Sequence, residues 1–180
     1  MRSDSVGLTR PGWWFVAAGV LVIVRAAMEL ADPVYWEPVS FLDFSAVILT
    51  TVGWVAAGWA VMLLSRRPEL GRASLVLAIA GMGLVVEGVG NLLEDLFDLT
   101  WGGDLYSWGG IIGAIALIVG SVLALTVGHR LRWSALFLLV FIAGGIFPDD
   151  GGLFVGGLSL VGLGYWLISQ QRDEPVESRT

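Results

Sequence analysis

Six apolar stretches, at about residues 12–31, 44–65, 73–97, 107–127, 133–147 and 151–169, divide this chain, with short charged or turn-forming pieces between them. Most reach the length of about 20 residues that a helix needs to cross a hydrocarbon core about 30 Å thick. In lipid no water is at hand for backbone groups, so such stretches must satisfy their own hydrogen bonds as helices. Hydrophobic residues make up 56% of the 180 residues and charged residues 14%, with a mean hydropathy of +0.80. A soluble domain of this size could not bury so much apolar surface. The expected fold is therefore all-α, a polytopic transmembrane bundle of about six helices. It forms a single domain over residues 1–180, with short polar tails at 1–11 and 170–180.

The last two stretches are short. The Pro148-Asp149-Asp150-Gly151-Gly152 turn between them favours a hairpin of two crossings over one re-entrant element, which would leave five. The first stretch carries Arg25 and Glu29 and lacks a clean apolar run before a small-residue cleavage site, so it reads as a permanent helix and not a signal peptide.

Charge sets the orientation. All ten basic residues are arginine, sixteen acids bring the net charge to -6, and this lysine-free, acid-rich usage resembles haloarchaeal proteins in composition. Acidic loops of that kind stay hydrated in concentrated salt, where screening removes most of their repulsion. Nine of the ten arginines fall at the tails or in alternate loops, at Arg2, Arg10, Arg66, Arg67, Arg72, Arg130, Arg132, Arg172 and Arg179. The intervening loops hold Asp32, Glu37, Asp43, Asp98, Asp104, Asp149 and Asp150 and no arginine. The positive-inside rule then places both termini in the cytoplasm and the protein in the cell membrane. Belts of Trp and Tyr at both ends of the stretches agree.

Close helix packing in lipid calls for small residues. Gly109, Gly113, Ala116, Gly120 and Ala124 form one face of the fourth helix, with shorter versions at Ala56/Ala60 and Gly152/Gly156. Packing within the chain is favoured over a homodimer face.

The residues that lipid should have excluded are Arg25 and Glu29 in the first helix, and Glu87, Asn91 and Glu94 in the third. A charge at mid-membrane costs about 2.5–3.5 kcal/mol on insertion scales, so these groups need partners. Arg25 and Glu29 are one turn apart, and Glu87, Asn91, Glu94 and Asp98 advance along one face of the third helix. Counted from the cytoplasmic ends, Arg25 and Glu87 lie nearly level, which predicts that the first and third helices are neighbours joined by this pair. Asp32, Asp95 and Asp98 form an outer acidic rim above it. One arginine facing two carboxylates requires a proton, a cation or water to complete the balance. A buried ion pair that fixes helix register is the plain alternative.

Other polar residues carry less. His129 stands at the cytoplasmic edge, across the membrane from the acids; Asp149 and Asp150 read as a solvated turn; Thr50 and Thr51 read as bonding to their own helix. The absence of cysteine excludes disulfides, thiolate metal sites and thiol nucleophiles. There is no nucleophile–base pair, histidine metal motif or phosphate-cradling loop, so an intramembrane enzyme ranks last, and no cofactor, metal or nucleic acid is expected. The leading expectation is a non-enzymatic membrane protein whose outer-half cluster binds a cation, proton or small polar solute, as in a small transporter or channel subunit. The alternative is a sensor or assembly subunit with a structural ion pair. The expected partners are the lipid bilayer and, for assembly, a second copy or other membrane subunits.

A chain without cysteine makes the topology directly testable. Single Glu69→Cys and Arg179→Cys substitutions should be shielded from a membrane-impermeant maleimide in intact cells, and Asp104→Cys should be labelled; the reverse pattern would invert the orientation.

Overall fold

The computed structural model describes residues 5–31, 40–127, 129–146 and 151–172. These form six helices, α1 (Ser5–Ala31), α2 (Phe41–Ser65), α3 (Arg72–Asp95), α4 (Thr100–Leu125), α5 (His129–Ile146) and α6 (Leu153–Arg172). Five are long and apolar enough to cross a membrane, and the apolar part of α5, Leu131–Ile146, is shorter. Asp32, Glu37 and the Pro148-Asp149-Asp150 turn lie outside the described residues, as does the side chain of His129.

Each helix packs chiefly on the two beside it: α1 on α2, α2 on α3, α3 on α4, α4 on α5, α5 on α6, and α6 back on α1. The six thus close into a ring. This corrects the expectation that the first and third helices are neighbours, because α2 stands between them. Equal depth, which is all that helix register supplies, does not determine which helices touch.

Glycine spacing explains the closeness of these contacts. On α1, Gly12 and Gly19 face Gly164 and Gly157 of α6; on α3, Gly83 and Gly90 face Gly109, Gly113 and Gly102 of α4; Gly58 of α2 faces Gly81 of α3. Members of a pair such as 12/19, 83/90 or 102/109 lie two helical turns apart, so they recur on one face. A Cβ on Gly19 would fall 2.5 Å from the Gly157 carbonyl oxygen, and one on Gly109 would fall 2.5 Å from the Glu87 amide nitrogen. Backbone meets backbone there, and no side chain fits. Gly109, Gly113, Ala116, Gly120 and Ala124 are all buried in α4, and the contacts of Gly109, Gly113 and Gly120 are to α3.

Polar contacts add to this packing. Ser74 Oγ donates to the Ser65 carbonyl across the α2–α3 turn, and Ser159 Oγ of α6 donates to the Phe137 carbonyl of α5, each at 2.5 Å. Ser40 and Asp43 form a capping box that starts α2, with reciprocal bonds of 2.9 and 3.1 Å, so Asp43 serves the helix end and is buried. Asp98 holds φ 51 where α3 ends, and its amide donates to the Glu94 carbonyl at 3.0 Å. Aspartate tolerates that left-handed conformation better than most residues. In the α2–α3 turn, desolvation lowers the Arg67 guanidinium pKa against the opposing pull of Glu69.

Two helix starts differ most from the expected bounds. α1 begins at Ser5, before residue 12, and α4 begins at Thr100, before residue 107. The Gly102-Gly103-Asp104 piece reads locally as a turn, yet Gly102 is buried in α4 against the Glu94 amide, 2.6 Å from where its Cβ would be. Tertiary contact outweighs the weak helix propensity of glycine at this point.

The ring is filled at one end and hollow at the other. Phe15 of α1, Leu64 of α2, Leu77 of α3, Leu138 of α5 and Leu163 and Leu167 of α6 are fully buried. Phe15, Leu64, Leu77 and Leu167 lie toward the helix ends that carry Arg66, Arg67 and Arg72, and Leu138 and Leu163 lie near mid-helix below the hollow. Adding a methyl group at a glycine contact should separate two helices. Gly90→Ala and Gly109→Ala should each cost about 1–3 kcal/mol, read as a lower melting temperature in mild detergent. Gly145→Ala, whose Cβ would meet only Trp54 at 4.0 Å, should leave the melt unchanged or raise it.

Candidate functional site

The hollow half of the ring holds a partly open cavity of about 680 Å³ with walls from all six helices. Its polar lining comes from four of them: Arg25 and Glu29 of α1, Thr50 of α2, Glu87, Asn91 and Asp95 of α3, and Tyr106 of α4. Its apolar lining includes Val22, Trp54, Leu84, Leu117, Phe141 and Ile142.

Register sorts these residues by depth. Along α3, Asp95, Asn91, Glu87 and Leu84 descend toward the packed end, a drop of roughly 16 Å at 1.5 Å per residue. On α1, Glu29, Arg25 and Val22 descend in the same direction. Charge therefore concentrates at one end of the cavity and hydrocarbon at the other.

Arg25 is committed within its own neighbourhood. Its Nε donates to Thr50 Oγ1 at 3.1 Å, and its Nη1 reaches Glu29 Oε2 at 3.0 Å. Thr50 Oγ1 in turn donates to the Ala46 carbonyl at 2.8 Å, the back-bond expected of it, so its remaining lone pair receives the guanidinium. This chain fixes α1 to α2 at that depth. Arg25–Glu29 is the one ion pair among the described residues. Both side chains keep contact with the cavity, at 16% and 31% exposure, which lowers their desolvation cost.

Across the cavity, Glu87 depends on glycine. A Cβ on Gly110 would lie 3.3 Å from the Glu87 carboxyl carbon, so the carboxylate rests against the bare α4 backbone. Glu94 repeats this arrangement two turns along, over Gly103, whose Cβ would fall 2.6 Å from Glu94 Oε1. Asn91 Nδ2 makes a long contact of 3.5 Å to Thr51 Oγ1 of α2. Among the described residues, Glu87 and Asp95 have neither a hydrogen bond nor an ion pair.

The structure thus brings Arg25, Glu29, Glu87 and Asn91 to one cavity but does not join Arg25 to Glu87. Asp95, expected on the outer rim, is part of the wall, and Glu94, expected in the cluster, lies exposed over Gly103. Asp98 is exposed at the helix end. The cavity stripe runs by fours, at 87, 91 and 95, where the expected stripe turned to 94 and 98. An α-helix places both i+3 and i+4 near a given face, and the choice depends on how α3 is rotated against α4. Tyr106, which the sequence places in the outer aromatic belt, lines the cavity instead, and Trp54 and Gly110 join it from outside the expected cluster; a signal for Gly110 is visible, since Trp101-Gly102-Gly103 recurs as Trp108-Gly109-Gly110, in step with Glu94 and Glu87.

Chemically, the wall presents one guanidinium and three carboxylates beside three aromatic side chains, Tyr106 and the pair Trp54 and Phe141, whose centroids are 5.4 Å apart. It can hold a positive charge and solvate an apolar body. Among the described residues no three His, Cys, Asp or Glu side chains converge as a metal site would require.

A double-mutant cycle should separate the contacts. Arg25→Met with Thr50→Val should show a coupling of about 1–3 kcal/mol in detergent melts, as for a hydrogen bond to a charged group. Arg25→Met with Glu87→Gln should show a smaller one; a larger value would restore the direct pair.

Compared with known proteins, the chain matches no family model, no curated protein and no solved structure. Its six helices, five of them able to span a bilayer, make it a membrane protein with lipid against its outer face.

Proposed function

We propose that this chain is a non-enzymatic, multi-pass protein of the cell membrane, with both termini cytoplasmic, whose cavity receives a cation or small polar solute as part of a transporter or channel-like unit. The observation that carries this reading is the uneven filling of the ring. Apolar side chains close the arginine-bearing end, while the other half holds a cavity whose charged residues face inward. A bundle that needed charge only for register would bring each ion to a partner, and Glu87 and Asp95 have none among the described residues. Intramembrane ionisable groups facing a cavity mark solute or ion paths as a rule.

A second reading draws on Arg25. Its bonds to Thr50 and Glu29 are internal and tie α1 to α2, as expected of a structural group in a sensor or assembly subunit.

Proteoliposomes distinguish the two. With transport, Glu87→Gln should lower proton- or sodium-driven flux by about tenfold or more, equivalent to about 1.4 kcal/mol, while the exposed Asp104→Asn leaves it unchanged. Flux that is absent from the parent, or equal in both variants, would favour the structural reading.

A further inference from the structure

The cavity is much larger than a bare ion needs, and its wall is mostly apolar. A volume of about 680 Å³ falls in the range of small-molecule sites, about 300–1,000 Å³. An inorganic cation bound without its water needs several converging oxygen ligands. Glu87 and Asp95 are two turns apart on α3, and no third carboxylate among the described residues converges with them. A hydrated ion would fit, but its water would lie largely against Phe141, Leu84 and Leu117, which offer no hydrogen bonds, and Trp54, which offers a single N–H.

An organic cation meets both walls. Arg25 and Glu29 neutralise one another at 3.0 Å, which leaves Glu87 and Asp95 as a formal charge of two carboxylates on the wall. Glu87 lies at the junction between the charged and apolar levels, with Leu84 one turn below it on α3. The rings of Trp54 and Phe141 form a tilted pair on the same cavity, and an aromatic face attracts a weakly hydrated cation.

Resting on the solute-binding reading above, we propose that the substrate class is a lipophilic organic cation. Its charged centre lies between Glu87 and Asp95, and its apolar or aromatic body lies against Trp54, Phe141, Leu84 and Leu117.

The probe is tetraphenylphosphonium, with the isosteric anion tetraphenylborate and the small cation tetramethylammonium as comparisons. Binding of each radiolabelled ion is measured by equilibrium dialysis on the full chain in lipid nanodiscs. Saturable tetraphenylphosphonium binding is expected, with affinity reduced more than about tenfold in Glu87→Gln and about three- to tenfold in Trp54→Leu. Asp104→Asn should bind like the parent, and melting temperatures of all variants show whether any loss is one of folding. Equal binding of tetraphenylborate, binding unchanged in Glu87→Gln, or absence of saturable tetraphenylphosphonium binding would each overturn the inference. If tetramethylammonium or driven sodium or proton flux still depends on Glu87 in that case, the cavity remains a cation site and only the lipophilic class is wrong. If no cation depends on Glu87, both readings fall.

Discussion

Where α3 meets α4, Gly83, Gly90, Gly102 and Gly109 bring two backbones together with no side chain between them. Lipid tails are as apolar as leucine, so helices in a bilayer gain little from hiding hydrocarbon from one another, and close van der Waals contact becomes the main source of association. Glycine supplies that contact by omission. The same arrangement recurs between α1 and α6 and between α2 and α3, so much of the ring is stitched by glycine at intervals of two turns. Such contacts also fix rotation, because a helix turned by one residue would present a bulky side chain to the opposing carbonyls.

That fixed rotation places the charged groups. Once Gly109 is against the Glu87 amide, the Glu87 carboxylate has the Gly110 backbone beside it and the cavity in front. Glu94 and Gly103 repeat the arrangement nearer the helix end, where the carboxylate emerges exposed. The packed half of the ring contributes in another way. Phe15, Leu64, Leu77 and Leu167 fill the bundle toward the arginine-bearing turn, and Leu138 and Leu163 fill it at mid-helix, so the bundle keeps its form even though its other half is hollow. The hollow lessens the cost of intramembrane charge, since Arg25 and Glu29 face a cavity and not hydrocarbon.

Much of this was readable along the chain. Helix number, the inward burial of the Gly109-to-Ala124 face, and the gathering of Arg25, Glu29, Glu87 and Asn91 follow from period and from the cost of charge in lipid, both of which are local. The early start of α4 escapes the local pattern for a local reason as well. Gly102 and Gly103 look like a turn to anyone who cannot see α3, whereas in the bundle they are the positions where α3 comes closest. Thr50 was correctly read as bonding its own helix, and its second bond, to Arg25, depends on a helix that the local pattern does not show.

The amino-acid order by itself determined that this protein is a bundle of membrane-length helices with a polar cluster in one half, because hydropathy and helical period act through neighbours in sequence. Only the tertiary structure decided that α2 separates α1 from α3, that Arg25 binds Thr50 and Glu29 while Glu87 rests over Gly110, and that Asp95 in place of Glu94 faces the cavity. Those outcomes depend on the relative rotation and adjacency of whole helices. In lipid, these are set by the few places where two backbones can touch.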